Sequence, residues 1–145
     1  VLLGSMIPIG QALQSSGGAE TISNILINIS HGASPVMILA SMLIITMLLS
    51  AVLNNVATVL VAAPISVEIA KTLTVNPDTF LMAVAIGASC AFLTPIGHQN
   101  NTLVMGPGGY RFGDYWKLGL PLEILITVVS IPTLLYFWPL NSLPI

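Results

Sequence analysis

The sequence predicts an all-α integral membrane protein built from a re-entrant hairpin, a discontinuous transmembrane helix and a terminal span. Three observations carry that prediction. The chain is 55% hydrophobic and only 6% charged, with mean hydropathy +0.97, where soluble domains carry roughly 25% charged residues. Its apolar runs are interrupted in mid-stretch by neutral polar residues and helix breakers rather than by charged loops. Its final run has the length of a membrane crossing and aromatic residues at both ends. A formal net charge of −2 gives no basic surface for nucleic acid, which is excluded as a partner. Cys90 is the only cysteine, so neither a disulfide framework nor a thiolate metal cluster is available. Within "GASCA" it is a helix-packing residue.

The chain opens on Val1 inside an apolar run, so residues 1–13 resemble the end of a span, and the whole is expected to be the C-terminal piece of a longer protein. "QSSGGAE" breaks that run. In "TISNILINIS", Ile22, Ile25, Leu26 and Ile29 recur at helical spacing, opposite Ser23, Asn24 and Asn28. The segment is too short to cross a core of about 30 Å and fits an amphipathic helix lying at the interface. His31, beside Gly32, is expected at the surface.

Ser34-Pro35 is a helix start, a cap followed by a first-turn proline. The chain then stays apolar to Ala70, a stretch of about 55 Å as one helix, with no polar loop. Its one interruption is "SAVLNNVAT", with Asn54 and Asn55 at the centre. A re-entrant hairpin over about 34–71, its tip inside the membrane, satisfies both facts; irregular backbone at that depth requires cover by protein or a water-filled cavity. A long tilted helix, or two short spans whose asparagines bond a neighbour, is the alternative. Glu68 and Lys71 mark the exit into water as a solvated pair.

Asn76 and Pro77 start the next helix, expected over about 78–106 with a break at "PIGHQNN", residues 95–101, and a restart near Asn101-Thr102. "GPGG", without a following Gly-Lys-Ser/Thr, is a tight turn rather than a phosphate loop. The last span, about 115–138, is capped by Asp114. Trp116 and Trp138 stand 22 positions apart, about 33 Å of helix. Arg111 and Lys117 place the 106–117 loop on the cytoplasmic side by the positive-inside rule, with the C-terminus and the hairpin's opening outside.

A helix broken at mid-membrane leaves carbonyls at the end of its first half and N–H groups at the start of its second. The carbonyls suit Na⁺ and the N–H groups an anion. Two such breaks, with no Lys or Arg in a predicted mid-span segment, point to a Na⁺-coupled anion site. His98, in the second break, either contacts substrate or satisfies backbone groups as a neutral imidazole; no second His, Cys or carboxylate stands near it to make a metal site. Glu123 is expected near the interface or bonded to a neighbour, with proton carriage the lesser alternative. No nucleophile–base pair or catalytic carboxylate pair is present, so no enzyme and no organic cofactor are expected. The sequons "NIS" at 28–30 and "NNT" at 100–102 carry no weight.

"VLNNVAT…AAPI" followed by "GASCAFLTPIGHQNNTLVMGPGGY" resembles the second half of the divalent anion:sodium symporter family, a citrate-transporter-like domain within the ion transporter superfamily. The resemblance covers about residues 1–140. It implies one of two inverted repeats of a secondary transporter working by alternating access, with Na⁺ as coupling ion, a small anion as substrate, and a homodimer in the plasma membrane, multi-pass, with an N-terminal half supplying the other repeat. It assigns Ser50 and Asn55, with the carbonyls of Leu53 and Gly97, to sodium. It places Asn54, Asn55, Val56, His98 and Asn101 toward the substrate. The family's Ser-Asn-Thr tip falls on Asn54, Asn55 and Val56, so only the central Asn is kept. His98-Gln99-Asn100 stands where dicarboxylate carriers have Thr-Pro-Pro, which leaves a sulfate-like anion as open as a dicarboxylate. An arsenite or sodium/proton antiporter of the same superfamily, or a transporter-derived anion sensor, are the other readings.

Overall fold

In the computed structural model, residues 8, 11–13, 15–29 and 34–141 are described, and these are helical with no strand among them. His31, Ser30 of the first sequon and most of the opening apolar run lie outside the described residues. The elements are α1 (Gly18–Ile29), α2 (Pro35–Ser50), α3 (Asn55–Leu73), α4 (Pro77–Ser89), α5 (Gln99–Met105), a 3-10 turn (Phe112–Asp114) and α6 (Tyr115–Phe137).

The expected interruption between α2 and α3 is present. Ala51–Asn54 are not helical, and Asn54 caps α3 by accepting from the Ala57 N–H at 2.8 Å. At 16 residues, α2 is about 24 Å long and falls short of a bilayer core. α3 is longer than the hairpin arm the sequence implied: its 19 residues have the length and hydropathy of a crossing, but Glu68 and Lys71 occupy its last turns. Those two form the expected pair, 3.3 Å apart. Thr74 ends α3 in the left-handed region, φ 54°, where its N–H and that of Val75 bond Lys71 O and Ala70 O. Such a conformation is unusual for a β-branched residue.

α4 is the central element, packed on α2, α3 and α6. The core is apolar, with Leu39, Leu43, Ile69, Phe80 and Val84 almost fully buried. α6 runs antiparallel to α4: its early residue Gly119 lies against Phe92, while its end bonds the start of α4. There Thr79 Oγ1 donates to Trp138 O at 2.8 Å and Asn76 N donates to Leu140 O at 3.0 Å. Pro64 in α3, and Pro121 and Pro132 in α6, sit inside the helices, each removing one backbone N–H.

In α1, Ala19 and Ser23 are buried and Ile22 and Ile25 exposed, so the small residues face the neighbouring helix α3, with Leu26 packed beside them. In a lipid environment large apolar side chains gain little by turning inward, and small residues allow the closer approach. Ser23 stays satisfied by donating to Glu20 O at 2.8 Å. Ser34 and Asp114 precede their helices without a side-chain cap; Asp114 instead accepts from the Arg111 N–H and from Lys117 Nζ. The break in the second discontinuous element runs from Cys90 to His98, with α5 starting at Gln99, rather than from Pro95 to Asn101. Cys90 is buried as expected, but just beyond α4 rather than inside it.

Thr79→Val removes the buried bond that ties the two ends of the α4–α6 pair. It is expected to destabilise the full-length protein by about 0.5–1.5 kcal/mol, read as a lower thermal unfolding midpoint in detergent. Thr72→Val, at an exposed position of α3, should leave the midpoint unchanged.

Candidate functional site

The two breaks meet. Ser50, the last residue of α2, is fully buried, and its hydroxyl donates to Ala88 O at 2.6 Å, in the last turn of α4. The same Oγ lies 3.2 Å from Asn55 Oδ1, so the first helical residue of α3 joins the contact. From the other break, Thr94 Oγ1 donates to Ala51 O and accepts from the Gly97 N–H at 3.2 Å. Gly97 packs so closely that a Cβ there would lie 2.5 Å from Ser50 O and 2.9 Å from Ala91 Cβ. Only glycine permits that approach. The C-terminal ends of α2 and α4, where backbone carbonyls concentrate negative partial charge, are thus held together at Ser50.

The non-helical segment is kept in shape by side chains that replace its missing ladder bonds. Asn101 Nδ2 bridges Ala91 O at 2.9 Å and Thr94 O at 3.2 Å. Thr102 Oγ1 donates to Pro95 O at 2.6 Å. His98 caps α5, its Nδ1 accepting from the Asn100 N–H at 3.2 Å. An accepting Nδ1 leaves the ring proton on Nε2. This bond satisfies one backbone N–H at the start of α5.

α6 braces the segment with one stripe of its surface. Tyr115 OH donates to Asn101 O at 2.7 Å. One turn on, a Cβ at Gly119 would lie 2.5 Å from Phe92 O. A turn further, the buried Glu123 carboxylate faces the Phe92 N–H. Thr127 Oγ1 then donates to Glu123 O at 2.8 Å, with Met47 Sδ of α2 at 3.7 Å. Sequence reasoning missed this stripe. Tyr115 carries the signature of an interfacial aromatic, and the i, i+4, i+8 spacing of Tyr115, Gly119 and Glu123 is visible only once a partner surface is known. Thr94 was missed too, although a hydroxyl beside a proline in an apolar break must find an acceptor.

Of the residues assigned to sodium, Ser50, Asn55 and Gly97 come together at this junction; Leu53 lies in the turn between α2 and α3, its N–H bonded to Leu49 O at 2.7 Å. Of those assigned to the anion, Asn55 and Val56 line a cavity of about 280 Å³ with Ala88 and Ser89. Asn54 is exposed at the tip. Asn101 lines a different and larger cavity, of about 800 Å³, with Phe92, Tyr115 and Gly119.

Converging helix ends of this kind, in a chain of this hydropathy, are compatible with an integral membrane transporter. The chain belongs to the citrate transporter family, whose model matches residues 1–144. Among curated proteins it is 40% identical over 140 residues to the uncharacterized transporter YfbS of Escherichia coli, covering 94% of this chain and 23% of that protein. It is 30% identical to sodium/sulfate cotransporter 1 of Chlamydomonas reinhardtii, covering 84% of this chain and 14% of that one. To the sodium-dependent dicarboxylate transporter SdcS of Staphylococcus saprophyticus it is 26% identical, covering 94% and 26%. The chain therefore spans less than a third of each of these relatives.

Gly97→Ala tests the junction. The added methyl cannot be seated without parting the break from Ser50, so the full-length protein should show a lower unfolding midpoint in detergent. Gly106→Ala, where a Cβ meets open space, should leave the midpoint unchanged.

Proposed function

We propose that this chain is the C-terminal half of a secondary active transporter that carries a small anion, sulfate-like or dicarboxylate, together with Na⁺ by alternating access. The single observation that supports it is the convergence of the two helix C-termini at Ser50. The Ser50 hydroxyl, the Asn55 amide oxygen and the carbonyls of Leu53 and Gly97 are neutral oxygen donors of the kind a dehydrated Na⁺ takes. No fixed cation competes with Na⁺ there: the chain's three Lys and Arg residues are Lys71, Arg111 and Lys117, all exposed. Bound Na⁺ would then supply the positive charge that holds an anion at the start of α3, near Asn54, Asn55 and Val56, with His98 contributed from the second break, while Asn101 holds that break in shape through Ala91 O and Thr94 O.

In this reading α2 and α3 form a re-entrant hairpin, α4 and α5 the two halves of one discontinuous helix, and α6 the terminal span. The second inverted repeat comes from the N-terminal half of the same transporter, which acts as a homodimer in the plasma membrane. Sodium/sulfate and sodium-dependent dicarboxylate carriers among the relatives support both the coupling ion and the substrate class.

Asn55→Ala in the full-length transporter, reconstituted in proteoliposomes, is expected to reduce Na⁺-driven sulfate or dicarboxylate uptake at least tenfold, equivalent to about 1.4 kcal/mol, with insertion intact. Unchanged uptake and Na⁺ affinity would remove Asn55 from the site. His98→Ala is expected to raise the apparent KM for the anion more than that for Na⁺. A variant that shifts only the Na⁺ dependence would take His98 out of anion contact.

A further inference from the structure

Glu123 is the one acidic residue of α6, near its middle, and it is 8% exposed. Its carboxylate faces the Phe92 N–H, yet Oε1 has no hydrogen-bond partner. An ionised carboxylate buried with an orphan oxygen costs several kcal/mol, and more at membrane depth. Three things could relieve that cost: a basic side chain, a metal ion or a proton.

No Lys or Arg of this chain, all three of which are described, reaches it. Lys71 pairs with Glu68 and Lys117 with Asp114, while Arg111 lies exposed before the 3-10 turn. A metal ion needs several oxygens, but among the described residues no cluster of three ligating side chains exists. The group set against Glu123 is moreover an N–H, which repels a cation, and the neighbouring Thr127 hydroxyl already donates to Glu123 O. The titratable group facing it from the break is Cys90. α2 contains no titratable residue, and α4 contributes only Asp78, exposed in its first turn at the opposite end.

We infer that Glu123 is a proton-binding site seated on the second break, occupied when the Phe92 peptide packs against α6 and vacated when that segment draws away. The carboxylic acid is the form compatible with the observed packing, because a neutral group tolerates an apolar surround that a carboxylate does not. Gly119 and Glu123 both pack on Phe92, one at its carbonyl and the other at its N–H. Proton occupancy is thereby linked to the position of Cys90–His98, the segment that carries Gly97 to Ser50. This inference goes beyond the transport reading and does not depend on it.

The experiment uses purified full-length protein in lipid, without substrate. Infrared difference spectra through a pH titration are expected to show the C=O stretch of a protonated carboxylic acid, lost in Glu123→Gln and shifted in Glu123→Asp. Hydrogen–deuterium exchange of residues 90–98, corrected for intrinsic rates, should rise with pH in the wild type and stay flat in Glu123→Gln, whose neutral amide stands in for the acid. Identical spectra for wild type and Glu123→Gln would overturn the proposal, as would equal pH dependence of exchange. A basic residue from the rest of the transporter paired with Glu123 would also give no acid band, and so counts against it. If Glu123→Gln fails to fold, Glu123→Asp decides: an unshifted band refutes the assignment.

Discussion

The meeting of Ser50 with Ala88 O and Gly97 is the contact on which the rest of the arrangement depends. A helix that stops inside an apolar medium leaves carbonyls that water cannot reach, and each costs several kcal/mol if it stays unpaired. The chain solves this by bringing the interrupted elements together, so that the hydroxyl ending one helix caps the carbonyl end of the other. Thr94 performs the same service in reverse, from the loop to the turn. The breaks are therefore mutually stabilising, through neutral groups alone.

The packing follows the solvent. The outward face of α6 carries Leu118, Ile124, Leu125, Val128 and Val129, all more than half exposed, while Gly119, Glu123, Ser130 and Leu134 face inward. In water such an arrangement would aggregate. In lipid it costs little, and the inward face is free to be chosen for close approach and hydrogen bonding. α1, with Ala19 and Ser23 buried and Ile22 and Ile25 exposed, obeys the same rule. Aromatic side chains mark both ends of α6: Trp116 is exposed at one, and Tyr136 and Phe137 pack edge to face at the other, 5.1 Å apart.

α6 links the two ends of the discontinuous element. Its stripe of Tyr115, Gly119 and Glu123 grips the break, and its last carbonyls hold the start of α4 through Thr79 and Asn76. A segment so held moves as a unit with α6 or must release those contacts to move alone. The same holds for Glu123, the buried carboxyl group of that stripe, whose contact with Phe92 must be released if the break is to move alone.

Composition alone determined that this is a helical membrane protein, because a chain with so few charges and such long apolar runs has no water-facing surface to offer. Local chemistry announced the interruptions: both the Asn54-Asn55 and the Pro95–Asn101 regions hold a break, at 51–54 and at 90–98, the second beginning five residues before its proline and ending before Gln99–Asn101 restart the helix. Ser50, Asn55 and Gly97 were named through the family resemblance, and the structure brings these three residues together. What only the tertiary structure decided is which groups satisfy which. Tyr115, Thr94, Thr102 and Glu123 act on acceptors or donors distant in sequence, and nothing local distinguishes a bracing tyrosine from an interfacial one. The direction in which α1 turns its isoleucines was equally undetermined, since periodicity shows that a helix has two faces, and only its neighbours and its solvent decide which one is inside.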